Sequence, residues 1–124
     1  MTGPDTRSRQ QAQKAGRRTE WLAGMFLRMK GYRLLARNVQ TPMGEVDLVM
    51  RRGKTVIFVE VKRRAGAVPP GLAVTRRQQE RIARAATFLA ASGRYGTDVE
   101  SYRIDLILMA AGRMPSHVRD AWRA

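Results

Sequence analysis

Two short runs carry ionisable side chains where a core strand would carry apolar ones. Gly44-Glu45-Val46-Asp47-Leu48-Val49 holds two acids, and Val59-Glu60-Val61-Lys62 holds an acid and an ammonium. Charges in such runs are costly to desolvate unless they serve one another, a metal ion or a substrate. Asp47 and Glu60 offer oxygen ligands of the kind that suit Mg²⁺ or Mn²⁺, an ion that polarises a phosphodiester and lowers the pKa of a bound water. Lys62 is suited to stabilise the charge that develops during attack, or to orient the water. The chemistry these types suggest is metal-dependent phosphodiester hydrolysis. The plainer readings are an exposed Glu60–Lys62 pair on an edge strand, and an Asp47 that braces the turn at Gly44.

For that chemistry the two runs must be neighbouring strands. Val46 to Met50 and Thr55 to Lys62 are rich in β-branched residues and are separated by the hairpin signal Arg51-Arg52-Gly53-Lys54. Alternation puts Glu45, Asp47 and Val49 on one face, and Val56, Phe58, Glu60 and Lys62 on one face. A two-residue loop at Arg52-Gly53 pairs Arg51 with Lys54, which sets Asp47 opposite Phe58 and Glu45 opposite Glu60. Asp47 and Glu60 then become diagonal neighbours, roughly 7–8 Å apart at the backbone and in joint reach of one ion. Carboxylates this close repel and one pKa rises; a divalent ion reverses that balance.

The flanking chain supplies supports for these strands. Residues 1–10, with Gly3 and Pro4, read as a flexible basic tail. Ala12, Ala15, Leu22, Ala23, Phe26 and Leu27 form the buried stripe of a helix from about Gln10 to Lys30, stopped by Gly31. Tyr32 to Arg37 is a strand, and Thr41-Pro42-Met43-Gly44 is a turn. Residues 65–71 are loop by their Pro and Gly content. A second helix spans Thr75 to Ser92, with Ile82, Ala85, Ala86 and Leu89 on one face. Tyr102 to Met109 is a strand buried on both sides, and a basic segment of open type runs to Trp122. The order is α-β-β-β-α-β, an α/β protein with a single mixed sheet flanked by helices, forming one domain over 11–124.

Composition points to the same partner. In 124 residues, 24 Lys and Arg face 10 acids, for a net charge of +14. That is the footprint of a polyanion, with nucleic acid first. There is no cysteine, which excludes disulfides and thiolate metal sites, and His117 is the only histidine, too few for a His-rich metal centre. No run is long enough for a transmembrane helix and the N-terminus lacks the apolar core of a signal, so a cytoplasmic protein with no membrane partner is expected. Arg63 and Arg64 follow the site directly. Arg76, Arg77, Arg81 and Arg84 flank the stripe of the second helix, and Arg7, Arg9, Lys14, Arg17 and Arg18 crowd the first. Arginine suits phosphate, giving affinity without base specificity, although such a run is ordinarily a solvated face. Trp21, Phe26, Phe58 and Phe88 read mostly as packing residues.

The motifs together resemble the YraN-like family of small bacterial proteins. The likeness rests on the two strand motifs, on Gly16-x-x-x-Glu20-x-x-Ala23, on Gly31-Tyr32 and Arg37-Asn38, and on Val74-Thr75, Gln79-x-Arg81 and Arg103-Ile104-Asp105. It covers roughly 100 residues. The resemblance implies a restriction-endonuclease-like PD-(D/E)XK core, related to archaeal Holliday-junction resolvases. Carried over by position, it makes Asp47 and Glu60 the metal-binding acids and Lys62 the motif lysine. Glu20 becomes an acid of the first helix that joins the metal and catalytic set. Gln78 stands where related chains often place a basic residue, and Arg63, Arg64, Arg76, Arg77, Gln78 and Arg81 are the expected nucleic-acid contacts. Asp105 is read as structural, a partner of Arg103 or of a helix arginine. The expectation is a Mg²⁺- or Mn²⁺-dependent nuclease on DNA, branched DNA included, with a homodimer by analogy to resolvases. The alternative is a nucleic-acid-binding protein that kept the fold without turnover, and a third reading is a small basic interaction protein.

Overall fold

The computed structural model describes residues 3–63 and 74–123, with side chains described from Gly16 onward. The elements are α1 (Gly3–Met29), β1 (Arg33–Thr41), β2 (Gly44–Arg52), β3 (Thr55–Arg63), α2 (Arg76–Ala91), β4 (Ser101–Met109) and β5 (Ser116–Val118). The strands form one sheet in the order β1-β2-β3-β4-β5. Only β3 and β4 run parallel; the other pairs are antiparallel. A parallel pair needs a crossover, and α2 provides it.

Each helix covers one face. Ala23 and Leu27 of α1 pack on Leu48, Met50, Ile57, Val59 and Ile107. Ile82, Ala85, Ala86 and Leu89 of α2 pack on Val49, Val56, Phe58, Leu106 and Leu108. The expected α/β sandwich is therefore present, with the sheet between the helices. Strand β4 is buried continuously from Ile104 to Leu108, Asp105 included, as befits a strand with neighbours on both edges and helices on both faces.

Several boundaries differ from expectation. Helix α1 begins at Gly3, so its first turns run through the stretch read as a tail; proline is tolerated in a first turn, where its missing N–H costs nothing. Leu22, expected in the buried stripe, faces outward, and Trp21 lies 49% exposed, because Ala23 and Leu27 take the inward positions. Phe88 is likewise exposed by 37%. Helix α2 matches closely: Thr75 is its N-cap in a reciprocal capping box with Gln78, and Ser92 is its C-cap. The final segment contains β5, whose three residues are too few to show a period in sequence. The loop expected at 65–71 and Arg64 lie outside the described residues.

Candidate active site

The site is built where β2 and β3 part. Their loop is Gly53-Lys54, not Arg52-Gly53, since Arg52 pairs with Thr55. Gly53 has φ 62, and a positive φ at the first central residue is what a type II′ turn asks of glycine. The register is thus two residues from the one expected, which preserves the faces and improves the meeting. Pairing runs as far as Leu48↔Val59, and one more step sets Asp47 straight across from Glu60 rather than diagonal to it. There the ladder gives way: Val61 N–H donates to Asp47 Oδ2 (2.8 Å), a side chain standing in for a backbone acceptor.

The two carboxyls share one pocket of about 310 Å³. Gly44, Glu45, Asp47, Glu60 and Lys62 line it from the sheet, and Gln78, Arg81 and Ile82 line it from α2. Burial, then the neighbouring Asp47 charge, pushes Glu60 up to about 8, against relief from Lys62. Asp47 is also raised, first by burial and then by Glu45, with the Val61 N–H opposing. Lys62 Nζ lies 3.5 Å from Glu60 Oε1. One ammonium offsets only part of the mutual repulsion of two part-buried carboxyls, which is why both are pushed up.

Glu20 reaches the edge of this group from α1, on the other side of the sheet. Asn38, opposite Asp47 on β1, sits at φ 48, a conformation asparagine tolerates. With its amide turned to satisfy both acids, it donates to Glu20 Oε2 (2.8 Å) and Glu45 Oε1 (2.9 Å). Burial, then Asp47 and Glu45, raises the Glu20 pKa. Among the described residues no three acidic or histidine side chains close on a single point. The arrangement is a facing pair, Asp47 and Glu60, with Glu45 and Glu20 beside it. Sequence reasoning passed over Glu45 and Asn38 as site residues; the signal was the alternation of Glu45 with Asp47 and the Arg37-Asn38 motif.

Of the expected phosphate contacts, Gln78 and Arg81 line the pocket. Gly44 makes room for Arg81: a Cβ there would come within 2.9 Å of Arg81 Cγ, and φ is +152. Arg63 is exposed just beyond Lys62, and Arg77 is exposed at the start of α2. Arg76 stands on the far flank of α2, paired with Glu80 at 3.6 Å.

A second buried acid lies one register step away on the opposite face. Asp105 pairs with Val59 on β3 and is fully buried. Arg103 donates to both of its oxygens (2.9 and 2.8 Å), Asp120 N–H donates to Oδ1 (3.0 Å), and His117 Nε2 lies 2.7 Å from Oδ2. Arg103 also donates to the Tyr32 hydroxyl (2.8 Å), and Lys30 Nζ lies 2.7 Å from His117 Nδ1. Burial alone would raise Asp105, but bonds from Arg103, His117 and Asp120 hold it down to about 2. The structural role and the Arg103 partnership expected for Asp105 are both found.

The fold and pocket define a small α/β protein with paired acids between sheet and helix. The sequence profile of the uncharacterised protein family UPF0102 matches residues 19–109. A UPF0102 protein of Caulobacter vibrioides is 49% identical over 111 residues, covering 90% of this chain and 88% of the relative. Those of Erythrobacter litoralis and Paramagnetospirillum magneticum are 45% and 42% identical, covering 93% and 98% of this chain and 97% of each relative. The chain belongs to the UPF0102 family, the YraN-like group its motifs resemble.

Proposed function

We propose that the protein is a nuclease that cleaves DNA phosphodiesters with Mg²⁺ or Mn²⁺, acting in the cytoplasm, with branched or junction DNA as the favoured substrate. The observation that carries this reading is the Asp47–Glu60 pair: two part-buried carboxyls facing each other across β2 and β3, both pushed up, in a pocket that also presents Lys62 and Arg81.

The donor set fits a hard divalent cation. It is all oxygen, and Mg²⁺ is ordinarily held by one or two carboxylates completed by water and substrate phosphate. Asp47 and Glu60 would hold the ion, with Glu20 and Glu45 at its margin. When bound, it would supply Lewis acidity and an acidified water. The chain's own residues then have distinct tasks. The Val61 N–H fixes the Asp47 carboxylate. Lys62 neutralises Glu60 and faces the phosphate. Arg81 and Gln78, across the pocket on α2, grip non-bridging oxygens, the Gln78 amide giving hydrogen bonds without charge.

The net charge of +14 draws the backbone of any nucleic acid toward this pocket. No helix among the described residues is long and apolar enough to cross a membrane. A two-fold substrate such as a junction favours a homodimer with two such pockets.

The test is cleavage of labelled junction, flap, nicked and single-stranded substrates with Mg²⁺ or Mn²⁺. Metal-dependent products that vanish in Asp47→Asn, with binding retained, support the reading. Salt-sensitive binding that ignores chelator and Asp47→Asn, with no cleavage of any substrate, favours the non-catalytic alternative.

A further inference from the structure

We propose that a groove on the outer flank of α2 docks an acidic segment of a partner protein that carries a large apolar side chain. The groove is separate from the carboxylate pocket: Gln78 and Arg81 line that pocket from one flank of α2, while Gln79, Ala83 and Thr87 line the groove from the other. It consists of two adjoining chambers of about 400 and 680 Å³ that share Thr87, Trp122 and Arg123. Chambers of this size accept one or two apolar side chains of a peptide.

Apolar side chains make the greater part of the surface, with charged and polar groups among them. Phe58, Ala86 and Tyr102 form the inner chamber, and Met43, Ala83 and Phe88 form the outer one. Phe88 and Tyr102 are each more than a third exposed, an unusual state for large rings that exposes anchoring surface. Trp122 walls both chambers, and its indole N–H is buried with no acceptor among the described residues. Buried donors are nearly always paired.

Charge selects the occupant. Arg76, Arg84 and Arg123 ring the outer chamber against Glu80 alone. Arg76 is engaged with Glu80, Arg123 with Asp120, and Arg84 makes no hydrogen bond or ion pair with any described residue. A second copy of a chain at +14 would be repelled from this rim. A nucleic-acid backbone would satisfy the arginines and leave the apolar chambers empty. An acidic peptide with a Phe or Leu anchor satisfies both, and its docking leaves the carboxylate pocket open to substrate.

The experiment uses the full chain with Trp21→Phe, so that Trp122 alone reports, and a fluorescein-labelled Asp/Glu-rich peptide bearing Phe and Leu. The expected result is a shift in Trp122 emission with micromolar binding. Serine in place of Phe and Leu should weaken it at least tenfold, as should Arg84→Glu. Arg28→Glu, the same charge change on α1, should weaken it less than threefold. Equal binding of the serine peptide, equal loss in both charge variants, full displacement by duplex DNA, or silence of Trp122 would each overturn the proposal. Self-association that Arg84→Glu abolishes would overturn it in favour of a second copy. None of these readouts depends on nuclease activity.

Discussion

Asp105 and the Asp47–Glu60 pair sit one register step apart on opposite faces of the same sheet, and they solve the burial of a carboxylate in opposite ways. Asp105 receives two bonds from Arg103, one from the Asp120 N–H and one from His117, and it is held down to about 2. Asp47 and Glu60 receive one backbone N–H and one lysine between them and are pushed up. A buried acid whose lone pairs are all met is a fastening. Two acids that face each other across a pocket, with one lysine between them, are the arrangement on which the proposed site rests.

The contrast can be broken most forcefully at activity. Asp47→Asn should lower metal-dependent cleavage by at least about a thousandfold while leaving the fold intact, since the amide oxygen still accepts from Val61 N–H and one repelling charge is gone. Turnover assays beside thermal melts check both halves. Asp105→Ala should do the reverse. Removing it strands a part-buried Arg103 and the covered ring of His117, at a cost of about 3 kcal/mol, and denaturant titration should show this with or without Mg²⁺.

pH should separate the two regions by sign. The folded Glu60 carboxyl titrates near 8 against 4.5 in the unfolded chain, so it favours folding only while protonated. Stability should fall as pH rises from about 4.5 to 8, by up to about 5 kcal/mol without divalent cation, and Glu60→Gln should flatten that slope. Asp105 is depressed, from 3.8 to about 2, so its contribution is present above pH 3.8 and is lost as pH falls through 2. That contribution is about 2 kcal/mol, and melts of Asp105→Asn against wild type from pH 6 to 2 should converge. The smallest effect is at Gly44. Gly44→Ala brings a methyl to 2.9 Å from Arg81 and strains a φ of +152, which should cost about 1 kcal/mol and weaken salt-sensitive DNA binding severalfold.

What could be seen in the sequence was whatever depends on local pattern. The α2 span followed from the spacing of Ile82, Ala85, Ala86 and Leu89, and the structure adds the Thr75–Gln78 capping box that fixes its start. The shared face of Asp47 and Glu60 followed from alternation, and it survived a wrong loop because a register change of two keeps every side chain on its face. The loop itself was ambiguous: Arg-Arg-Gly-Lys can centre glycine at either turn position, and only the backbone decides. Long-range matters were hidden. His117 reaches Asp105 from a three-residue strand, and Asn38 joins Glu20 to Glu45 through a positive φ that no period announces. The outward turn of Trp21 and Leu22 was hidden too, since apolar residues lie on both sides of α1 and only the sheet chooses between them.

The most direct test of the central claim is to locate Mn²⁺ by anomalous scattering in crystals of the wild-type protein grown near pH 8. A single strong peak within bonding distance of both the Asp47 and Glu60 carboxylates, absent in Asp47→Asn, is the predicted result. Manganese bound elsewhere on the molecule, or no peak between those two side chains at millimolar ion, would contradict it.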